Sequence, residues 1–294
     1  MAITLGTNVT SYIARINLNS TTDKLSTAME KLSTGAKINN AGDDAAGLVI
    51  SENMKAYIRS SKQAMANIQT AEAYLTVAED GMVTIGDHLQ RINDLLTNMA
   101  NDTNGTDART ASAREIIERL AEIDRLADTT DFNGRKMLDG KSGTIIVQMG
   151  PDSTENSILD ISKALTDCHL SALGKTDENP DGAKLPDNLN PDSNDYAPTN
   201  ENCRAYMKII QDAIAQLSTQ RGLLGAYENR MTSSYDSLSI RIESLETAKS
   251  LYTDTDVAEE ATNMIKHQIM QQLNTSILSS ANSMQGIALS LLGG

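Results

Sequence analysis

Residues 268–294 interleave apolar side chains with uncharged polar ones and contain no Asp, Glu, Lys or Arg. Ile269, Leu273, Ile277, Ala281, Met284, Ala288 and Leu291 recur at steps of three and four, the spacing of one helical face. Gln268, Gln271, Gln272, Asn274, Ser276, Ser279 and Asn282 fill the positions between them. The other end of the chain has the same character. Its first charged residue is Arg15, and Val9, Ile13, Ile16, Leu25, Met29 and Leu32 mark a helix that begins at Asn8 and stops near Gly35. A charge-free helix can be enclosed by protein without burying an ion, which is costly. Alone in water it has little to hold it. Both ends therefore predict packing inside an assembly.

Between the ends the pattern is charged and more regular. A turn-rich break at 39–44 precedes a second helix over 45–99, with Ile68, Leu75, Met82, Ile85, Leu89, Ile92, Leu96 and Met99 on one face. A break at 101–106 leads to a third helix over 107–127, with Ile116, Leu120 and Ile123 inward. From Phe132 the period changes. Asn133-Gly134 and Asp139-Gly140 are turn signals, 144–149 reads as a strand, and 157–161 as its partner. Residues 174–202 hold four of the five prolines, are strongly acidic and have almost no apolar period, so an exposed loop is expected there.

The longest regular stretch follows. From Met207 to Tyr252 alternating steps of three and four continue without slipping, interrupted in charge only by Arg221, Glu228 and Lys249. A heptad kept that long predicts a supercoiled helix pair or bundle. At 1.5 Å per residue this helix reaches roughly 68 Å, similar to the helix over 45–99, so the two are expected to pair antiparallel. Residues 254–256 interrupt the pattern before the charge-poor terminal helix. Antiparallel pairing would bring the two chain ends together, with 174–202 at the far end of a rod. The fold class read from the pattern is mainly α, a long antiparallel helical bundle or coiled coil with a small β-hairpin patch.

Composition narrows the function. Aromatic residues make up 3% of the 294 residues, with one Phe and no Trp, whereas Met numbers 13. A large globular core normally uses aromatic bulk, so narrow helix seams are favoured. The net charge of −14 offers no basic excess for phosphates, which argues against a nucleic-acid partner. No apolar run approaches the length of a membrane span. The first residues show neither a basic region nor an apolar region of the secretory kind, so no cleavable signal is expected. Cys168 and Cys203 are either one bridge or two free thiols. His88, His169 and His267 are scattered, with no His-Glu-x-x-His run, no phosphate-binding glycine loop and no nucleophile elbow, so no enzyme, metal or cofactor is expected. Asp43-Asp44 reads as charge complementing a helix N-terminus.

The residues resemble the bacterial flagellins. At one end the resemblance rests on Ile3-Thr-Leu-Gly-Thr-Asn-Val-Thr-Ser and Leu32-Ser-Thr-Gly-Ala-Lys-Ile-Asn-Asn-Ala-Gly-Asp-Asp-Ala-Ala-Gly-Leu48. At the other it rests on Leu224-Gly-Ala-Tyr-Glu-Asn-Arg230, Ala261-Thr-Asn-Met264, Gln268-Ile-Met-Gln-Gln272 and Leu289-Ser-Leu-Leu292. Met231 stands where the family usually has Phe. The resemblance implies a filament subunit for swimming, secreted to the extracellular flagellum through the flagellar type III apparatus. It implies a polymer of the chain itself and, as partners, an export chaperone and the hook-associated junction and cap proteins.

On that pattern 1–44 and 254–294 would form an inner tube on polymerisation, 45–173 and 203–253 the rod around it, and 174–202 a reduced variable region. Tube contacts would come from Val9, Ile13, Ile16, Ile269, Leu273, Ile277, Met284 and Leu291. Gln90, Arg91, Leu95 and Glu115 match the family surface read by the flagellin-sensing Toll-like receptor of the host, a surface that also serves contacts between protofilaments. Asn93 and Asp94 replace residues usual there. The rival readings are a hook-filament junction protein and a secreted effector acting on host or membrane.

Overall fold

In the computed structural model the described residues are 8–176 and 179–292, and the side chains of 285–292 lie outside that description. The chain divides into two compact units, one built from 1–58 with 243–294 and the other from 59–242.

The first unit contains α1 (Val9–Thr34), the start of α2 (Ala45–Met99), the end of α4 (Asn200–Thr253) and α5 (Val257–Leu292). Helix α1 begins where the Asn8 side chain accepts the Ser11 N–H at 2.9 Å. It ends at Gly35, whose φ of +70° closes the last turn through its N–H to the Lys31 carbonyl. A Cβ there would meet nothing, so the left-handed backbone alone favours glycine. Helix α2 begins after Asp44, which accepts the Gly47 N–H at 2.9 Å. Asp43 folds the preceding turn by accepting the N–H groups of Asn40 and Asn39, and these bonds hold its carboxyl below the usual range. Asp256 caps α5 through the N–H groups of Ala258 and Glu259.

The two breaks meet. Ala36 and Asp254 form an antiparallel bridge, with the Lys37 N–H on the Thr253 carbonyl and the Thr255 N–H on the Gly35 carbonyl. Helices α1 and α5 run antiparallel, tied by Asn8 to the Ala281 carbonyl, Ser11 to Asn282, and Gln271 to Thr22.

The second unit is a helical core with a β patch. Helix α2 buries two heptad series, Ala71, Ala78, Ile85 and Ile92 on one, and Ile68, Leu75, Met82, Leu89 and Leu96 on the other. The two series lie three and four residues apart and form one apolar stripe, and cross-links from α2 reach two neighbouring helices. One neighbour is α3 (Thr106–Thr129), which turns Ala113, Ile116, Leu120, Ile123 and Ala127 inward. The other is α4, whose Ile210, Leu217, Leu224, Met231 and Leu238 are buried at intervals of seven. Each such leucine or isoleucine contributes about 1.5–3 kcal/mol by leaving water.

Antiparallel pairing of α2 and α4 follows from three cross-links in fixed register: Gln69 with Tyr235, Glu72 with Thr232, and Asn93 with Gln211. Two of the three charged heptad positions, Arg221 and Glu228, fall in this unit and lie at its margin. Arg221 pairs with Glu79 at 3.4 Å. Burial, together with Glu79 and Glu72, raises the Glu228 carboxyl above its usual range.

The hairpin β1 (Asp131–Phe132) and β2 (Arg135–Lys136) turns through Asn133 and Gly134, both at positive φ. The ladder β3 (Ile146–Gln148) with β4 (Ile158–Asp160) aligns Val147 with Leu159. Phe132 packs edge-on to Tyr74 at 5.5 Å. A Cβ at Gly81 would lie 2.9 Å from both Leu138 and Thr130, so glycine allows this close approach to α2.

The segment 174–202 differs from the loop expected of it. Ala183 and Leu189 are buried, Leu185 and Tyr196 pack against the core, and Asn179 folds the turn by donating to the carbonyls of Gly174 and Gly182. Among its described residues the acids Asp181, Asp187, Asp192, Asp195 and Glu201 face solvent while single apolar residues anchor it, a pattern that has no period to read.

Candidate self-assembly surfaces

The residues singled out at the chain ends are not the ones that hold α1 to α5. The intramolecular seam encloses Ala14, Thr21 and Ala28 from α1, with Asn274 and Ala281 from α5. Small side chains there let the helices approach closely. Leu18, Leu25 and Leu278 flank these small residues half-buried, whereas the apolar residues singled out at the chain ends are open. Val9 is 59% exposed, Ile13 52%, Ile16 49%, Leu273 52%, Ile277 51% and Met284 58%, with Ile269 and Met29 similarly open. Leu291 lies outside the described side chains.

A single exposed leucine is ordinary, but a run of large apolar side chains on adjoining helices marks a surface that another molecule covers. The run on α5 from Gln268 onward carries no charge to hydrate it. On α1 the first charge is Arg15, which lies 6.0 Å from the centre of the Tyr12 ring.

The second candidate surface lies on α2 and α3. Arg91 donates to Glu115 at 3.2 Å, and Arg119 meets the same carboxylate at 2.9 Å. Arg119 and then Arg91 hold the Glu115 carboxyl below the usual range. Arg119 also approaches the His88 ring at 3.4 Å. Gln90 and Arg91 are exposed beside this cluster. Leu95 is separated from them, since it is only 7% exposed and belongs to the core between the helices. The ion pair itself is a surface pair and contributes about 0–1 kcal/mol.

Cys168 and Cys203 are placed as two buried, unbridged thiols. Each is packed separately. The Cys168 N–H is held by the Leu138 carbonyl and its thiol by the Thr166 carbonyl, whereas Cys203 sits in the first turn of α4 on the Thr199 carbonyl. Burial pushes the Cys168 thiol up to about 12. Among the described residues no group of three or more His, Cys, Asp or Glu side chains is placed to hold a metal ion. Among them, too, no helix is long and apolar enough to cross a membrane.

Comparison with known proteins gives the same two-ended picture. The model of the bacterial flagellin N-terminal helical region matches residues 5–143, and that of the bacterial flagellin C-terminal helical region matches 207–292. A flagellin of Halalkalibacterium halodurans is 32% identical over 285 residues, covering 97% of this chain and 98% of its own. The flagellar filament 33 kDa core protein of Treponema phagedenis is 32% identical over 291 residues, covering 97% and 98%. The structure described as a flagellar hook-associated protein of Vibrio parahaemolyticus superposes with a TM-score of 0.59 at 13% identity, covering 72% of this chain and 99% of that one. At that identity the likeness is one of fold alone.

Proposed function

The chain belongs to the bacterial flagellin family, and from that membership we propose that it is a filament subunit which polymerises through the outward faces of α1 and α5. The observation that carries this reading is the set of half-exposed apolar side chains Val9, Ile13, Ile16, Ile269, Leu273 and Ile277 on helices that pair through a different, small-residue seam. Covering such side chains with copies of the same helices removes apolar surface from water and buries no charge. A heterologous contact of this kind repeats from subunit to subunit and builds a helical polymer.

In this reading 1–44 and 254–294 line the centre of the filament. Residues 45–173 and 203–253 form the layer around it, and 174–202 is a reduced variable region. The subunit reaches the extracellular flagellum through the flagellar type III apparatus, escorted by an export chaperone, and meets junction and cap proteins at the filament ends. Its function is then mechanical, performed by packing and not by bond-making chemistry.

Leu273→Glu and Ile277→Lys are the direct test, with deletion of 268–294 as the coarse one. Each is expected to abolish filaments seen by electron microscopy while the helical circular dichroism of 59–242 persists. Normal filaments from any of them would refute the assembly surface. Short capping structures in place of long filaments from the unaltered chain would favour the hook-filament junction reading.

The Arg91–Glu115 cluster is proposed as a contact surface between neighbouring protofilaments that a host flagellin-sensing receptor also reads. Arg91→Ala is expected to weaken receptor binding by the monomer without lowering its stability. Unchanged binding would remove the receptor role.

A further inference from the structure

The seam between α1 and α5 contains one feature that small-residue packing does not require. Its enclosed residues recur at intervals of seven: Ala14, Thr21 and Ala28 on α1, with Asn274 and Ala281 on α5. Among the fully buried residues the alanine methyls offer little shape by which one register differs from another, while Leu18, Leu25 and Leu278 flank them half-buried on the same stripes and add apolar packing. Thr21 and Asn274 break that degeneracy. Both are buried, and the Asn274 amide donates to the Thr21 hydroxyl oxygen at 3.0 Å. The Thr21 hydroxyl spends its own proton on the Asn17 carbonyl at 2.7 Å, which leaves its oxygen as an acceptor aimed across the seam.

A slide of seven residues in either direction would put Asn274 opposite Ala14 or Ala28 in place of Thr21. The amide would then be buried with no side-chain partner, and an unpaired buried polar group is more costly than the made bond is favourable. A single buried polar position is a known means of fixing helix register at some expense of stability.

We propose that Thr21 and Asn274 form the register pin of the terminal helices: their buried hydrogen bond, more than the apolar packing, selects which turn of α1 faces which turn of α5. The register in turn decides how Ile13 and Ile16 line up beside Leu273 and Ile277 on the outward surface. That consequence rests on the assembly role proposed above, whereas the register itself is measurable apart from it. The rival determinants are the Ala36–Asp254 bridge at one end of the helix pair and the outer ties of Asn8 to the Ala281 carbonyl and Gln271 to Thr22.

Cysteine pairs in the full-length chain separate the pin from these rivals. Ser11 and Asn282 are hydrogen-bonded at 3.0 Å, so Ser11→Cys with Asn282→Cys reports the native register. Ser11→Cys with Thr275→Cys reports a slide of one heptad. The chain with neither pair serves as the control for the two native thiols. With Thr21 and Asn274 in place, the native pair alone is expected to close. Asn274→Leu is expected to lower the ratio of native to slid cross-link by about tenfold, the scale of one unpaired buried amide. The exchange Thr21→Asn with Asn274→Thr keeps a donor and an acceptor across the seam and is expected to restore the native ratio.

An Asn274→Leu chain that still closes the native pair alone would overturn the pin in favour of the bridge and the outer ties. An exchanged pair that fails to recover would overturn it too, as would loss of both cross-links, which would make the contact a requirement of folding and not of register. Sedimentation of the same samples reads assembly independently. A chain with Thr21 and Asn274 intact that closes the native pair yet forms no polymer would support the pin and overturn the assembly reading.

Discussion

The hydroxyl of Tyr206 donates a 2.6 Å hydrogen bond to the carbonyl of Ala183, and both residues are buried. This bond joins the first turns of α4 to the segment 174–202. Tyr206→Phe keeps the ring and leaves the Ala183 carbonyl unpaired in the core. The expected cost is about 1–3 kcal/mol in the denaturant unfolding of the monomer. Faster amide exchange around 183–189 should accompany it. Unchanged stability and exchange would mean that the segment is not docked as described.

Arg109 performs a second attachment from α3. Its side chain is 13% exposed, and its guanidinium reaches the carbonyls of Pro198 at 2.8 Å and Asn101 at 3.0 Å, with Asn200 and Asp102 close by. One group thus fastens the turn before α3 and the entry to α4. Arg109→Ala is expected to lower stability by about 2–3 kcal/mol, since bonds to a charged donor are stronger than neutral ones. Arg109→Lys should recover little, because an ammonium cannot address acceptors on both sides of a planar fork. The urea midpoints of the three chains decide this, and full recovery by lysine would refute the fork.

Much of this architecture is legible in the sequence where a period repeats. The expected limits 45–99 coincide with α2 because Asp44 caps one end and the Asn101 turn closes the other. The expected strands at 144–149 and 157–161 contain β3 and β4. Where a residue acts singly, the pattern says nothing. Ala183 and Leu189 are isolated among acids and prolines, so the docking of 174–202 leaves no trace in the spacing.

The seam of the terminal helices is silent in the sequence for a different reason. Ile269, Leu273 and Ile277 are read as contacts to other subunits and are open in the chain by itself, while the residues buried between α1 and α5, Ala14, Ala28 and Ala281, are too small to mark an apolar stripe. Leu95 is read from the sequence with the surface residues Gln90 and Arg91. Because α2 has both α3 and α4 as neighbours, however, Leu95 falls inside.

The two thiols give a chemical test of the core. Burial raises the Cys168 thiol to about 12, and it raises Cys203 as well, with Arg109 opposing. The thiolate is the reactive form, so neither residue should react with a disulfide reagent at about pH 8 in the folded monomer. Both should react once denaturant is added. A chain whose mass under non-reducing conditions is lower by two hydrogens would show a bridge and contradict the free thiols.

His169 gives the pH dependence. Its Nδ1 lies 2.6 Å from Asp167 and its Nε2 lies 3.3 Å from Asp128 at the end of α3. A neutral imidazole has one N–H, so only the protonated ring can donate to both carboxylates. Burial alone would lower the affinity of the ring for its proton, but Asp167 and Asp128 outweigh it and raise the pKa above its ordinary value of 6.5. A raised folded-state pKa means that the folded chain holds this proton more tightly than the unfolded one. The stabilisation is therefore fully present below about pH 6.5 and fades as pH climbs through the raised value. Because the ring is partly open to solvent, its size should stay below about 1 kcal/mol. Asp128→Asn should bring the His169 pKa, followed by the imidazole proton resonances, back toward 6.5 and flatten the stability profile in that window. A His169 resonance that titrates identically with and without Asp128 would show that the second carboxylate does not hold the ring.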